Sequence, residues 1–163
     1  MDLVLPPPSQ GETAPAASRI ALFGNGADVF VCTEDGAIGL LAASRHTLLI
    51  DARQWFDVRD IDEMTRSMGV QAKWYTSKMR RPAALWDYLT VALEALQQGH
   101  RVAIFCEHGK HRSFQLCLYL LSPWFHGDYE TVFGYIHAKR PICQASNLPR
   151  LWVRPVSAWS VLK

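Results

Sequence analysis

Short apolar runs alternate along this chain with longer stretches of helical periodicity, and the alternation predicts its elements. Ile20-Ala21-Leu22-Phe23 and Val29-Phe30-Val31-Cys32 flank Gly24-Asn25-Gly26, the pattern of two strands joined by a hairpin. Glu34 to Ser44 has helical character that Gly36 and Gly39 weaken. Thr47 to Ile50 is an apolar run ending at Asp51, as a buried strand would. A short helix over Asp60 to Met68, stopped by Gly69, and a strand over Val70 to Tyr75 are expected next. Pro82 suits the first turn of a helix reaching about Gln98, with Leu85, Tyr88, Leu89, Ala92, Leu93 and Leu96 on one face and Gly99 ending it. Val102-Ala103-Ile104-Phe105 is apolar throughout, as expected of a central strand covered on both sides. Helices over Arg112 to Leu121 and Asp128 to Lys139 follow, the second stopped by Pro141.

Strands alternating with helices predict an α/β fold: a central, mostly parallel sheet flanked by helices. At 163 residues the chain holds one domain with a core and is too short for two ordinary ones. Residues 1–18, with Pro6-Pro7-Pro8, Gly11, Pro15 and several alanines, show no periodicity. They are expected to be a flexible tail before a domain over 19–163, with a protein partner for the proline-rich stretch as the alternative. Hydrophobic residues at 49% exclude disorder for most of the chain. A formal charge of +2 is too balanced to announce a nucleic-acid binder. No apolar run has the length of a membrane span, and the acidic, proline-stopped start does not read as a signal peptide, so no membrane association is expected. Cys32, Cys106, Cys117 and Cys143 have neither zinc spacing nor the density of a disulfide scaffold, which suits a reducing, cytoplasmic compartment. No cofactor and no metal are expected; His108 and His111 lack a third ligand.

The chemistry lies after the strand at 102–105. Cys106-Glu107-His108-Gly109-Lys110-His111-Arg112-Ser113 runs from that strand into a helix. A cysteine and an arginine separated by five residues can close a loop around a tetrahedral anion such as phosphate or sulfate. Inward N–H groups from 107–111 and the helix N-terminus would line it, and Arg112 would grip two oxygens in a fork. The same positive field would hold Cys106 as a thiolate, the nucleophilic form. Ser113 could hydrogen-bond the sulfur and help it leave. The spacing alone is a weak signal; the apolar strand before it, Gly109 in the tight loop, and the amphipathic helix after it give it weight.

This segment resembles the phosphate-binding loop of cysteine-dependent phosphatases, particularly the dual-specificity branch. Around it, Leu85-Trp86-Asp87-Tyr88 through Gly99, then Tyr135-Ile136 through Arg140-Pro141-Ile142, then Asn147-Leu148 match the helices and the Arg-Pro-Ile motif of that family, so the likeness spans roughly 19–151. The resemblance implies hydrolysis of a phosphate ester or anhydride through a cysteinyl-phosphate, with Cys106, Arg112 and Ser113 catalytic. Residues Glu107, His108, Gly109, Lys110, His111 and Arg112 would bind the phosphate. Three positions depart from the family: Phe105 stands where it has histidine, Glu107 puts a carboxylate beside an anion site, and no acidic residue lies between Glu63 and Asp87, where its general-acid aspartate belongs. Asp87 reads as helix surface. Activity is therefore expected to be reduced.

Two further resemblances use the same residues. The loop is similar to that of cysteine-type RNA 5′-triphosphatases, whose leaving group needs little acid assistance. It is also similar to the carboxy-terminal domain of the bacterial RapZ adaptors, which also has an Asp-x-Arg like Asp51-Ala52-Arg53; that likeness implies a non-catalytic phosphate- or RNA-binding module. The expected ligand is accordingly a phosphoprotein or an RNA 5′ end. Lys73, Lys78, Arg80 and Arg81, interleaved with Trp74 and Tyr75, read either as a basic wall for it or as a solvated loop. Trp86 and Trp124 read as core, His46, His126 and His137 as surface, and Trp152 to Lys163 as a segment packed on the domain or a contact for a partner.

Overall fold

The computed structural model describes residues 2–4, 15–43, 46–53 and 82–143. The elements expected over 60–75, the basic and aromatic stretch over 73–81, Asn147-Leu148 and the segment over 152–163 lie outside the described residues, as do residues 5–14 and the side chain of Leu85. Among the described residues there are five strands: β1 (Leu3–Val4), β2 (Ala17–Phe23), β3 (Asp28–Cys32), β4 (Thr47–Asp51) and β5 (Arg101–Phe105). Four α-helices accompany them: α1 (Glu34–Ala42), α2 (Pro82–Gln97), α3 (Arg112–Leu121) and α4 (Tyr129–Lys139).

The sheet order is β1-β2-β3-β5-β4. Pairing is parallel around β5, on both its sides, and antiparallel from β3 outward, so the sheet is mixed rather than mostly parallel. The reason is local: the hairpin at Gly24-Asn25-Gly26 folds β2 back on β3, and Leu3–Val4 adds to the outer edge of β2. That contact falls within the stretch expected to be a tail, and β2 itself begins two residues before Arg19.

β5 sits between β3 and β4, and Val102, Ala103, Ile104 and Phe105 are all fully buried. Alternation sends Ala103 and Phe105 to one side, where they pack with Cys32, Ala37 and Leu49 under α1. Val102 and Ile104 face the larger core, built with Tyr88, Leu89, Ala92 and Leu96 of α2, Phe114 to Leu121 of α3, and Val132 and Ile136 of α4. Trp86 and Trp124 are half-buried against this core, whereas Asp87, His46, His126 and His137 are exposed.

Helix starts follow the chemistry of their caps. Thr33 Oγ1 accepts from the Gly36 N–H, and Asp128 accepts from the N–H groups of Glu130 and Thr131. Gly36 weakens α1 by propensity, but a Cβ there would collide with the Ala16 carbonyl, which accepts from both the N–H and the hydroxyl of Thr33. The segment 15–18 is thus fitted against the start of α1. No described helix is long and apolar enough to cross a membrane.

Candidate active site

β5 delivers Cys106 to the carboxyl edge of the sheet, and α3 begins at Arg112. Between them the chain reverses within a few residues. Gly109 lies at φ +61, and a Cβ on it would meet the Cys32 backbone at 2.7 Å, so the turn needs glycine both for its left-handed conformation and for the close approach. His111 occupies the N-cap position of α3 and makes no side-chain cap bond to that helix start.

The loop closes around the sulfur. Cys106 is buried, and its Sγ lies 3.1 Å from the Ser113 Oγ. Backbone N–H groups of Ser113, Lys110 and His111 donate to the same sulfur. Burial pushes the thiol up, but these four hydrogen bonds, led by the Ser113 hydroxyl, outweigh it and hold Cys106 below the ordinary thiol range. The other cysteines go the opposite way. Burial pushes Cys32 and Cys143 each up to about 12 and Cys117 well above its usual value. All four cysteines are unpaired and buried, so selectivity among them rests on these donors rather than on exposure.

Arg112 stands at the first helical position, and its Nη1 makes no hydrogen bond within the protein. Its Nη2 lies 3.8 Å from Glu107 Oε1, too far for a hydrogen bond. Glu107 is tolerable in an anion site only if it points away. It does not fully do so: its carboxylate stands at the rim, 39% exposed, beside the guanidinium. His108 is exposed, while Lys110 and His111 are half-buried at the same rim. Cys106 and Ser113 are thus brought together with the amides of Lys110, His111 and Ser113, and Arg112 begins the helix that follows.

Phe105 takes no part in polar support of the loop. It is fully buried on the α1 side, with the Arg53 guanidinium 5.7 Å from its ring centroid. Asp51 and Arg53 form an ionic group there: Asp51 Oδ1 accepts from the Arg53 N–H and Nε, and Arg53 Nη1 reaches Glu34 Oε1 at 2.8 Å. Burial raises the Asp51 carboxyl against the pull of Arg53. Asp51 is 1% exposed, with its Oδ1 engaged by Arg53. Among the described residues no group of three or more His, Cys, Asp or Glu is arranged to hold a metal ion.

One contact of the loop escapes sequence reasoning. Arg140, just past α4, donates from Nε to the Gly109 carbonyl at 2.7 Å. In sequence Arg140 is visible only as part of the Arg-Pro-Ile resemblance, and no periodicity or spacing ties it to a loop so far upstream.

No protein-family profile matches the chain, and no curated protein sequence matches it. Solved structures do share its fold. PTPMT1 in complex with PI(5)P aligns over 90% of this chain and 99% of its own at 15% identity, with a TM-score of 0.69. Human DUSP28 aligns over 93% and 99% at 14% identity, TM-score 0.62. Tk-PTP in its active form aligns over 89% and 95% at 15% identity, TM-score 0.61. The architecture is therefore that of the dual-specificity and tyrosine phosphatases.

Proposed function

We propose that the protein is a phosphatase that uses Cys106 as nucleophile on a phosphate ester or anhydride. The observation that carries this reading is the convergence of four donors on the Cys106 sulfur, in a fold it shares with phosphatases. The thiolate attacks phosphorus, an S–P bond forms, and the P–O bond to the leaving group breaks, its electron pair going to the departing oxygen. Water then attacks phosphorus and the sulfur leaves as thiolate, stabilised by the Ser113 hydroxyl 3.1 Å away. Arg112 and the loop amides hold the non-bridging oxygens as negative charge builds on them. The neighbour solved with PI(5)P adds phosphoinositides to the substrates worth trying, beside phosphoproteins and RNA 5′-triphosphate ends. Four unpaired cysteines support a reducing compartment.

A second reading is a non-catalytic phosphate-binding module. The Glu107 carboxylate beside Arg112 favours it, because an anion at the rim opposes entry of a charged substrate. Incubation with para-nitrophenyl phosphate, followed by nitrophenol release, separates the two. The proposal expects release by the native chain and a loss in Arg112→Ala. Two charge-assisted hydrogen bonds are worth about 3 kcal/mol together, so affinity for vanadate or phosphate should fall on the order of 10²-fold. Tight binding without release would favour the binding module; undiminished affinity in Arg112→Ala would remove the anion site itself.

A further inference from the structure

Arg140 is 1% exposed, yet no carboxylate among the described residues pairs with it. A buried cation of this kind is costly unless hydrogen bonds and an opposite charge compensate it. Its hydrogen bonds are specific. Nε takes the Gly109 carbonyl at 2.7 Å, while Nη1 takes the Pro15 carbonyl and the Ser18 hydroxyl, at 2.6 and 2.8 Å. Nη2 is buried without a partner and lies where a Cβ on Gly109 would come within 2.8 Å of it.

We infer that Arg140 is a positioning residue of the anion site, orienting the loop from beneath through the Gly109 carbonyl and supplying a charge that balances the anion above. The inference rests on the phosphatase reading of the same loop. Its geometry follows from one peptide unit. The Gly109 carbonyl and the Lys110 N–H belong to the same planar trans peptide and point in opposite directions. A guanidinium that holds the oxygen on the underside therefore aims the N–H at the other side, where Lys110 N–H donates to the Cys106 sulfur. The left-handed turn at Gly109 is what makes this orientation accessible. Through Pro15 and Ser18 the same guanidinium anchors the loop to the segment leading into β2, where Ala16 is fitted against the start of α1. The thiols of Cys143, Cys32 and Cys106 are the groups whose charge favours the Arg140 cation, against burial, which pulls its pKa down. Ionisation of Cys106 or arrival of a phosphate supplies the missing negative charge.

The full chain carries the test, with Arg140→Met and Arg140→Gln. Two quantities are read: the pH midpoint of Cys106 alkylation by iodoacetate, and vanadate affinity. Both variants should move the midpoint up by about one pH unit and weaken vanadate by roughly tenfold, since one unit and one decade are the same free energy. Asp128→Ala, which strips the α4 N-cap far from the loop's polar contacts, should lower Tm while leaving midpoint and affinity unchanged. If Arg140→Met does not fold, Arg140→Gln decides, because its amide keeps one donor for the fold while losing the charge. An unchanged midpoint and affinity with only a lower Tm would overturn the inference and leave Arg140 as packing. A native chain with an ordinary thiol midpoint and no vanadate binding would instead defeat the phosphatase reading, whatever the variants do.

Discussion

Cys106→Ser is expected to eliminate turnover of every phosphate substrate, by about 10³-fold or more, while phosphate and vanadate still bind. The reason is the division of labour within the loop. On the proposed function, binding comes from Arg112 and the amides of 107–113, none of which the substitution removes. Bond formation comes from the thiolate, and a serine hydroxyl in the same place gains little from donors that stabilise a thiolate. Ser113 Oγ and three N–H groups lower a thiol below its ordinary range, but a hydroxyl starts many units higher and stays protonated. Steady-state rates with para-nitrophenyl phosphate, set beside calorimetric phosphate titrations of both proteins, check the expectation. Equal loss of binding and turnover would mean that the serine had collapsed the loop, and full turnover would mean a different nucleophile.

Aryl phosphates and phosphoanhydrides are expected to be cleaved about 10²–10⁴-fold faster than alkyl phosphates such as phosphoserine, the contribution usual for a positioned general acid. Without an acid the departing oxygen carries its full negative charge, so rate depends on its basicity. A phenolate or a phosphate anion tolerates that charge and an alkoxide does not. Among the described residues, Glu107 is the carboxylate beside the arginine, and its 3.8 Å separation from Arg112 places it at the rim. Asp51 is buried at the end of β4, with its Oδ1 engaged by Arg53, and Asp87 is exposed on α2. The rate should rise with pH as Cys106 ionises, below the ordinary thiol range, and should show no fall on the alkaline side from loss of an acid's proton. A plot of log rate against leaving-group pKa over a series of phenols and alcohols measures this directly. A flat plot would identify an acid, with Glu107→Gln and His111→Ala as the variants that locate it.

Much of this was legible in the chain. The all-apolar run at 102–105 identified the central strand, because a strand covered by α1 on one side and by α2 and α3 on the other has no polar position to alternate. The strand–loop–helix order around Cys106 followed, as did the hairpin and the helix ending at Lys139. Where reading failed, the cause was long-range contact. Leu3–Val4 is too short to show a period, and its pairing with β2 depends on an edge that only the folded sheet presents. Gly36 reads as a helix weakener and proves to be a site of close packing against Ala16. Arg140 enters the sequence reading only through the Arg-Pro-Ile resemblance, and its bond to Gly109 spans 31 residues. Glu107 shows the limit from the other side: composition flags the carboxylate, but only the fold places it beside Arg112.

The central claim is that Cys106 becomes covalently phosphorylated. Rapid mixing of the native chain with a labelled aryl phosphate, acid quench, and mapping of the labelled peptide tests it most directly. One phosphoryl group is expected on the peptide carrying Cys106, formed at the rate of nitrophenol release and absent in Cys106→Ser. Nitrophenol release with no phosphoryl on that peptide, continuing undiminished in Cys106→Ser, would contradict it.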